Sequence, residues 1–132
     1  MPLSDADRLS IHELVSLHGH LADDRRPDEL HRLLTDDASY DVTAYGFGVV
    51  QGLEALTALF AERPGQQPVG HHVTNVVVNE HDHDDSRAGV RSKGLSVMAD
   101  GSAGTVVYDD IVVRTDAGWR IAHRTVIPAR TD

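Results

Sequence analysis

The chain of 132 residues contains no cysteine, only one lysine (Lys93), and aromatic residues at just 5%. Each scarcity excludes something. Without thiols there is no disulfide framework, no zinc–thiolate site and no cysteine nucleophile. With Lys93 the only lysine and a formal net charge of -9, there is no basic cluster to hold nucleic acid or an anionic membrane surface. No apolar run approaches the ~20 residues that a membrane span needs. The opening MPLSDADRLS lacks the apolar stretch of a signal peptide. These absences predict a soluble, cytoplasmic protein. The length suits a single domain over residues 1–132, able to bury a core without a metal or crosslink.

What is present is periodicity. Ile11, Leu14, Val15, His18, Leu21 and Ala22 recur at helical spacing and predict a helix over residues 4–22, with Ser4 and Asp7 as a capping box that uses Asp in place of Glu. Pro27 suits the first position of a second helix running to about Leu34. Ser39–Thr43 and Gly48–Gln51 read as two short strands, and Leu53–Glu62 as a third helix. From His71 the period changes to two. Strands are expected at 71–80, 87–98, 105–115 and 119–128, separated by polar turns rich in Asp and Gly. Helices followed by a long antiparallel meander predict an α+β domain.

Four segments carry a resemblance. LADDRRPDELHRLLTDDASYDV, VQGLEALTALF, HHVTNVVV and GWRIAHRTV follow one another in the order of helix end, third helix, sheet start and last strand. In this the chain resembles the SnoaL-like branch of the nuclear-transport-factor-2-like superfamily, which includes polyketide cyclases, dehydratases, a dehydrochlorinase and ketosteroid isomerases. The resemblance implies a cone: three N-terminal helices packed on a strongly bent, mainly antiparallel sheet, with an apolar pocket at the open end. It also implies cofactor-independent chemistry and a homodimer paired through the sheet. In the dehydratase and dehydrochlorinase members an Asp after the first helix works with a His at the start of the long sheet. Counting from LLTDDA and from Thr74-Asn75 places these at Asp23 and His71. The tyrosine expected of an isomerase oxyanion hole is missing from the first helix, which disfavours that activity.

Each candidate has a bland alternative. An Asp23–His71 pair can fix the imidazole tautomer and make the ring a general base or acid; otherwise Asp23 caps the next helix and His71 only opens a strand. Strand alternation lets one of His71 and His72 face inward, and His71 is the choice. His18 lies on the apolar stripe, as a core histidine or a cavity residue. Regular pleating puts Asn75 on the face of His71, to orient a substrate oxygen, unless it marks a bulge. Tyr40, Tyr108 and His123 complete the substrate-binding candidates, and His123 shares a face with Trp119 and Ile121 in a regular strand. Asp110 would need a partner if buried, and the outer face is its alternative. Arg120 and Arg124 suit an acidic substrate or a surface carboxylate. His81 and His83 have two-ligand spacing but sit where a turn is expected, so no metal is assigned. The reading is a lyase or isomerase acting by proton abstraction on a small apolar molecule bearing a carbonyl or hydroxyl. A non-catalytic binding or dimerisation module of the same fold is the alternative.

Overall fold

A computed structural model describes residues 3–62, 67–81 and 84–131. The first helix, α1, runs Asp5–Asp23 and begins at the expected capping box. The Ser4 hydroxyl accepts from the Asp7 backbone N–H at 3.0 Å, and the Asp7 carboxylate accepts from the Ser4 N–H at 3.2 Å. Asp is shorter than Glu yet closes the same reciprocal pair. The helix stops in a Schellman turn. Arg26 N–H reaches back to the Leu21 carbonyl at 2.9 Å, and Arg25 N–H to that of Ala22 at 3.3 Å.

The expected second helix is a 3-10 helix over Pro27–Arg32, ending before Leu34. Tertiary pairing wins there. Leu33 accepts from the Ile121 N–H at 2.9 Å, and Leu34 opens strand β1, Leu34–Asp41, beside Ile121. A 3-10 turn at Thr43–Tyr45 follows, and then β2 (Val49–Gln51), α2 (Leu53–Ala61), β3 (Gly70–His81), β4 (Asp84–Val97), β5 (Ala103–Thr115) and β6 (Gly118–Pro128). They form one curved sheet in the order β2-β1-β6-β5-β4-β3, in which only β1 and β6 run parallel. The α+β architecture is therefore the expected one. The turn between β3 and β4 is shorter than the predicted 81–86. Residues 82 and 83 lie outside the described residues, as does the His81 side chain, so the His81/His83 spacing has no structural counterpart here. Among the described residues, no helix is long and apolar enough to cross a membrane.

The register sorts the inner face into rows. Ala88, Val112, Ile121 and Leu34 form one row across four strands. These side chains are buried with Ile11, Leu14, Val15, Leu30 and Leu33. Each contributes about 1.5–3 kcal/mol if fully removed from water, except the smaller alanine. The next row is Val90, Asp110, Arg124 and Tyr40, and the one after it holds Ser92 and Tyr108. The interior thus changes from apolar to polar within one pleat.

Candidate functional site

Asp23 is the last residue of α1 and His71 the second of β3. The Asp23 carboxylate accepts from the His71 backbone N–H at 3.0 and 3.1 Å, and lies 2.7 Å from the ring Nδ1. An ionised carboxylate is an acceptor only, so Nδ1 carries the proton and Nε2 is left as the basic nitrogen. Two bonds to the backbone and one to the ring fix both the strand end and the imidazole. The contact depends on Gly19. A Cβ there would lie 2.4 Å from the His71 carbonyl oxygen, so only glycine lets α1 approach β3 this closely. Asp23 lines a mouth cavity of about 560 Å³ with Leu21, Phe60, Pro68 and Val69. It also lines a smaller groove of about 280 Å³ between α1 and β3, which His71 shares.

From the dyad a file of rings leads inward. The His18 ring, buried on α1, stands edge-on to His71 at 6.1 Å and to Tyr108 at 5.7 Å. The Arg124 guanidinium lies 4.0 Å from the centre of the Tyr108 ring and 5.7 Å from that of Tyr40. Gly94 makes room for Tyr108, because a Cβ would come within 2.6 Å of its ring. Arg124 and Asp110 form a bidentate pair, both bonds 2.8 Å, with both side chains fully buried. Burial opposes the Arg124 charge, but Asp110 and the two tyrosines outweigh it, and the guanidinium is held above its usual pKa. Burial pushes the Tyr40 phenol up to about 12, partly offset by Arg124, so it stays protonated. Three buried atoms beside these rings, Arg124 Nη1, Tyr40 Oη and Ser92 Oγ, have no hydrogen-bond partner among the described residues. Buried polar atoms are normally satisfied, so each of these is a cost to the fold unless a polar group meets it.

A protein-family model described as a SnoaL-like domain matches residues 5–125. The chain belongs to the SnoaL-like domain family. An uncharacterised protein of Mycobacterium tuberculosis, Rv2910c, is 32% identical over 124 residues, covering 90% of this chain and 83% of its own. Among solved structures, an NTF2-like protein of cystatin-like fold from Novosphingobium aromaticivorans has a TM-score of 0.80 at 24% identity, over 96% of this chain and 84% of the other. A candidate scytalone dehydratase from the same organism has a TM-score of 0.77 at 23% identity, over 95% and 85%. At such identities the likeness is one of fold.

In this SnoaL-like domain several sequence expectations change, mostly through two bulges. On β3, three residues from Thr74 to Val77 span two on β4, and Asn75 takes a left-handed φ of 56° in the extra position. Val76 and Val78 then follow His71 and Val73 inward, and Asn75 is exposed on the outside, not beside His71. On β6, Ile111 pairs with His123 but Val112 with Ile121, so one residue is again extra. The phase reverses there. Arg124 follows Ile121 inward, while His123 turns outward to Ser39 Oγ (2.6 Å) and Thr125 Oγ1 (3.1 Å). Asp110 is buried, not on the outer face, and its partner is Arg124. Arg120 bonds the backbone carbonyls of His31 and Trp119 rather than an acid. His72 points outward and is exposed. Asp23, His71, His18, Tyr40 and Tyr108 are gathered in this region; Ser92, Gly19 and Gly94 were not anticipated, and Arg124 was expected to meet a carboxylate but not to be buried. Gly19 had a signal, since a glycine inside an apolar helical stripe costs about 1 kcal/mol against alanine and asks for a packing reason. Arg124 had none, because a bulge is not visible in alternation.

Proposed function

We propose that this domain is a cofactor-independent lyase or isomerase that moves a proton on a small, largely apolar ketone or alcohol. The single observation that carries the reading is the 2.7 Å contact between His71 Nδ1 and an Asp23 carboxylate also anchored on the His71 backbone. In the proposed reaction His71 Nε2 takes a proton from the carbon beside the substrate carbonyl. The electron pair moves onto the carbonyl oxygen, giving an enolate, and His71 then carries the proton as imidazolium stabilised by Asp23. Arg124 Nη1, Tyr40 and Ser92 would hold a substrate oxygen, and the His18 and Tyr108 rings would flank its apolar body. In an elimination the imidazolium returns its proton to the departing hydroxyl; in an isomerisation it returns it to another carbon.

The test uses 1-tetralone, a bicyclic ketone, in heavy water, with deuterium incorporation beside the carbonyl followed by NMR. Positioned proton transfer is worth ~10²–10⁴ in rate. His71→Ala should lower the enzymic exchange by at least ~10², and Asp23→Asn should lower it too, with the melting curve retained in both. Exchange at the wild-type rate in both variants sinks the reading.

The outer sheet face supports a second element of the proposal, pairing of two copies. Val77 and Leu95 remain 55% and 39% exposed there, beside half-buried Val107, Ile111 and Ile127. Light scattering should give twice the monomer mass, and Leu95→Glu should halve it; a monomeric wild type removes this element.

A further inference from the structure

The cavity at the mouth is lined on one side by Arg25. Arg25 has a φ of 53°, in the left-handed region where glycine is favoured. It occupies the Schellman position after α1, where glycine would close the turn without strain. Its side chain is nonetheless uncommitted. Arg26 next to it is tied to Asp28 at 3.3 Å and Glu29 at 3.0 Å, whereas the Arg25 side chain has no hydrogen bond or ion pair among the described residues. The fold therefore gives no reason for arginine at this position and one reason against it. Strain held at a cavity rim is a pointer to binding.

We propose that Arg25 is a specificity residue that binds the carboxylate of an aromatic or alicyclic acid, whose apolar body lies against Leu21, Phe60, Pro68 and Val69. This takes the cavity that Asp23 lines as the substrate site of the proposed function, and it adds the substrate class: a keto or hydroxy acid in preference to a neutral ketone. The charge balance selects carboxylate. The planar fork of one guanidinium matches one carboxylate. A phosphate carries about two charges, and the neighbouring Asp23 and Asp24 would repel it, while the other cation lining the cavity, Arg26, is already tied to Asp28 and Glu29. The Asp23 charge is directed toward His71, which leaves the Arg25 side of the rim the more favourable for an anion.

The probes are 2-naphthoate and its neutral twin 2-naphthamide, titrated calorimetrically into the full chain. Wild type should prefer naphthoate by about three- to tenfold, between the strengths of an exposed ion pair and a charge-assisted hydrogen bond. The preference should shrink in high salt. Arg25→Gly should abolish the preference, leave naphthamide affinity unchanged, and melt about 2–4 °C higher, because glycine relieves the left-handed residue. A merely structural arginine would give the melting shift without the change in preference. The proposal is overturned if naphthoate does not bind wild type, if wild type shows no preference, or if Arg25→Gly keeps it. Its failure is separable from that of the catalytic reading. Loss of the preference in Arg25→Gly with wild-type exchange in the His71 and Asp23 variants removes only the dyad. The reverse pattern removes only Arg25.

Discussion

The base of the cone and its mouth are made by the same strands and the same helix, one period apart. Going toward the mouth, α1 passes from Val15 to His18, β1 from Ala38 to Tyr40 and β5 from Val112 to Asp110. β6 passes from Ile121 to Arg124 across its bulge. At the base every one of these residues is apolar and buried, and stability comes from area removed from water. At the mouth the same faces are as well buried but polar, and each group must be matched. A buried pair such as Asp110–Arg124 gains little net stability over apolar side chains of the same volume. The base therefore holds the fold, and the mouth is tolerated because the base supports it.

The largest test of that division is to break the buried pair. Arg124→Met leaves the Asp110 charge alone in the interior and should cost about 3–5 kcal/mol in urea unfolding. Removing both charges, as Asp110→Leu with Arg124→Met, should recover most of that loss, since the pair itself contributes little. If the double variant is as unstable as the single one, the pair is a structural element and the contrast between mouth and base is wrong.

Next is the joint between helix and sheet. Gly19→Ala would gain about 1 kcal/mol of helix propensity but place a methyl 2.4 Å from the His71 carbonyl. Backbone cannot yield as a flexible side chain can, so overpacking of about 1–3 kcal/mol should prevail. The expected result is a net loss of stability together with a weakened His71–Asp23 contact, seen as a shift of the His71 Nδ1 proton resonance. An unchanged resonance would mean that the dyad does not depend on this close approach.

This asymmetry also explains which features could be read from the sequence. The helix stripe, the capping box at Ser4 and the alternating valines are local patterns, and the elements formed close to their expected limits. The 3-10 segment at Pro27 and the long β1 were misplaced because parallel pairing of Leu34 with Ile121 connects residues far apart in the chain. Of the candidate site, the Asp23–His71 contact was legible. Asp23 and His71 lie at element ends, where counting from flanking motifs works. Asn75 and His123 were assigned to the wrong face because each strand carries one extra residue before or at that point. A one-residue slip reverses every side chain beyond it. The slip that turned His123 outward is the same one that brought Arg124 into the interior.

A smaller effect is expected from the base. Ile121→Val removes one buried methylene from the apolar row and should cost about 0.5–1.5 kcal/mol. It should leave the imidazole resonances of His71 and His18 where they are. A change at His71 comparable to that from Gly19→Ala would show that base and mouth are coupled through the sheet rather than separable.

The smallest effect belongs to the rim of the base, where α1 is fastened to β5 and β6. Arg114 makes two 3.0 Å bonds to Asp7 and lies 4.7 Å from the centre of the Trp119 ring, whose N–H also reaches Asp7 at 3.3 Å. The Arg114 guanidinium, with Ser4 and Trp119 adding, holds the Asp7 carboxyl well below the usual carboxylate range. A carboxyl depressed in the folded state stabilises above its unfolded pKa of about 3.9, and that contribution is lost as the pH falls toward the folded value. Wild type should therefore lose melting temperature between about pH 4 and pH 2. Asp7→Asn should start lower at neutral pH and fall less steeply, with Trp119 fluorescence following the release of α1. Its slope should be reduced, not abolished, because Asp28, Asp41 and Asp100 are also held low by their partners. An identical slope in wild type and Asp7→Asn would place the acid sensitivity elsewhere and leave the clasp at the base with no electrostatic part.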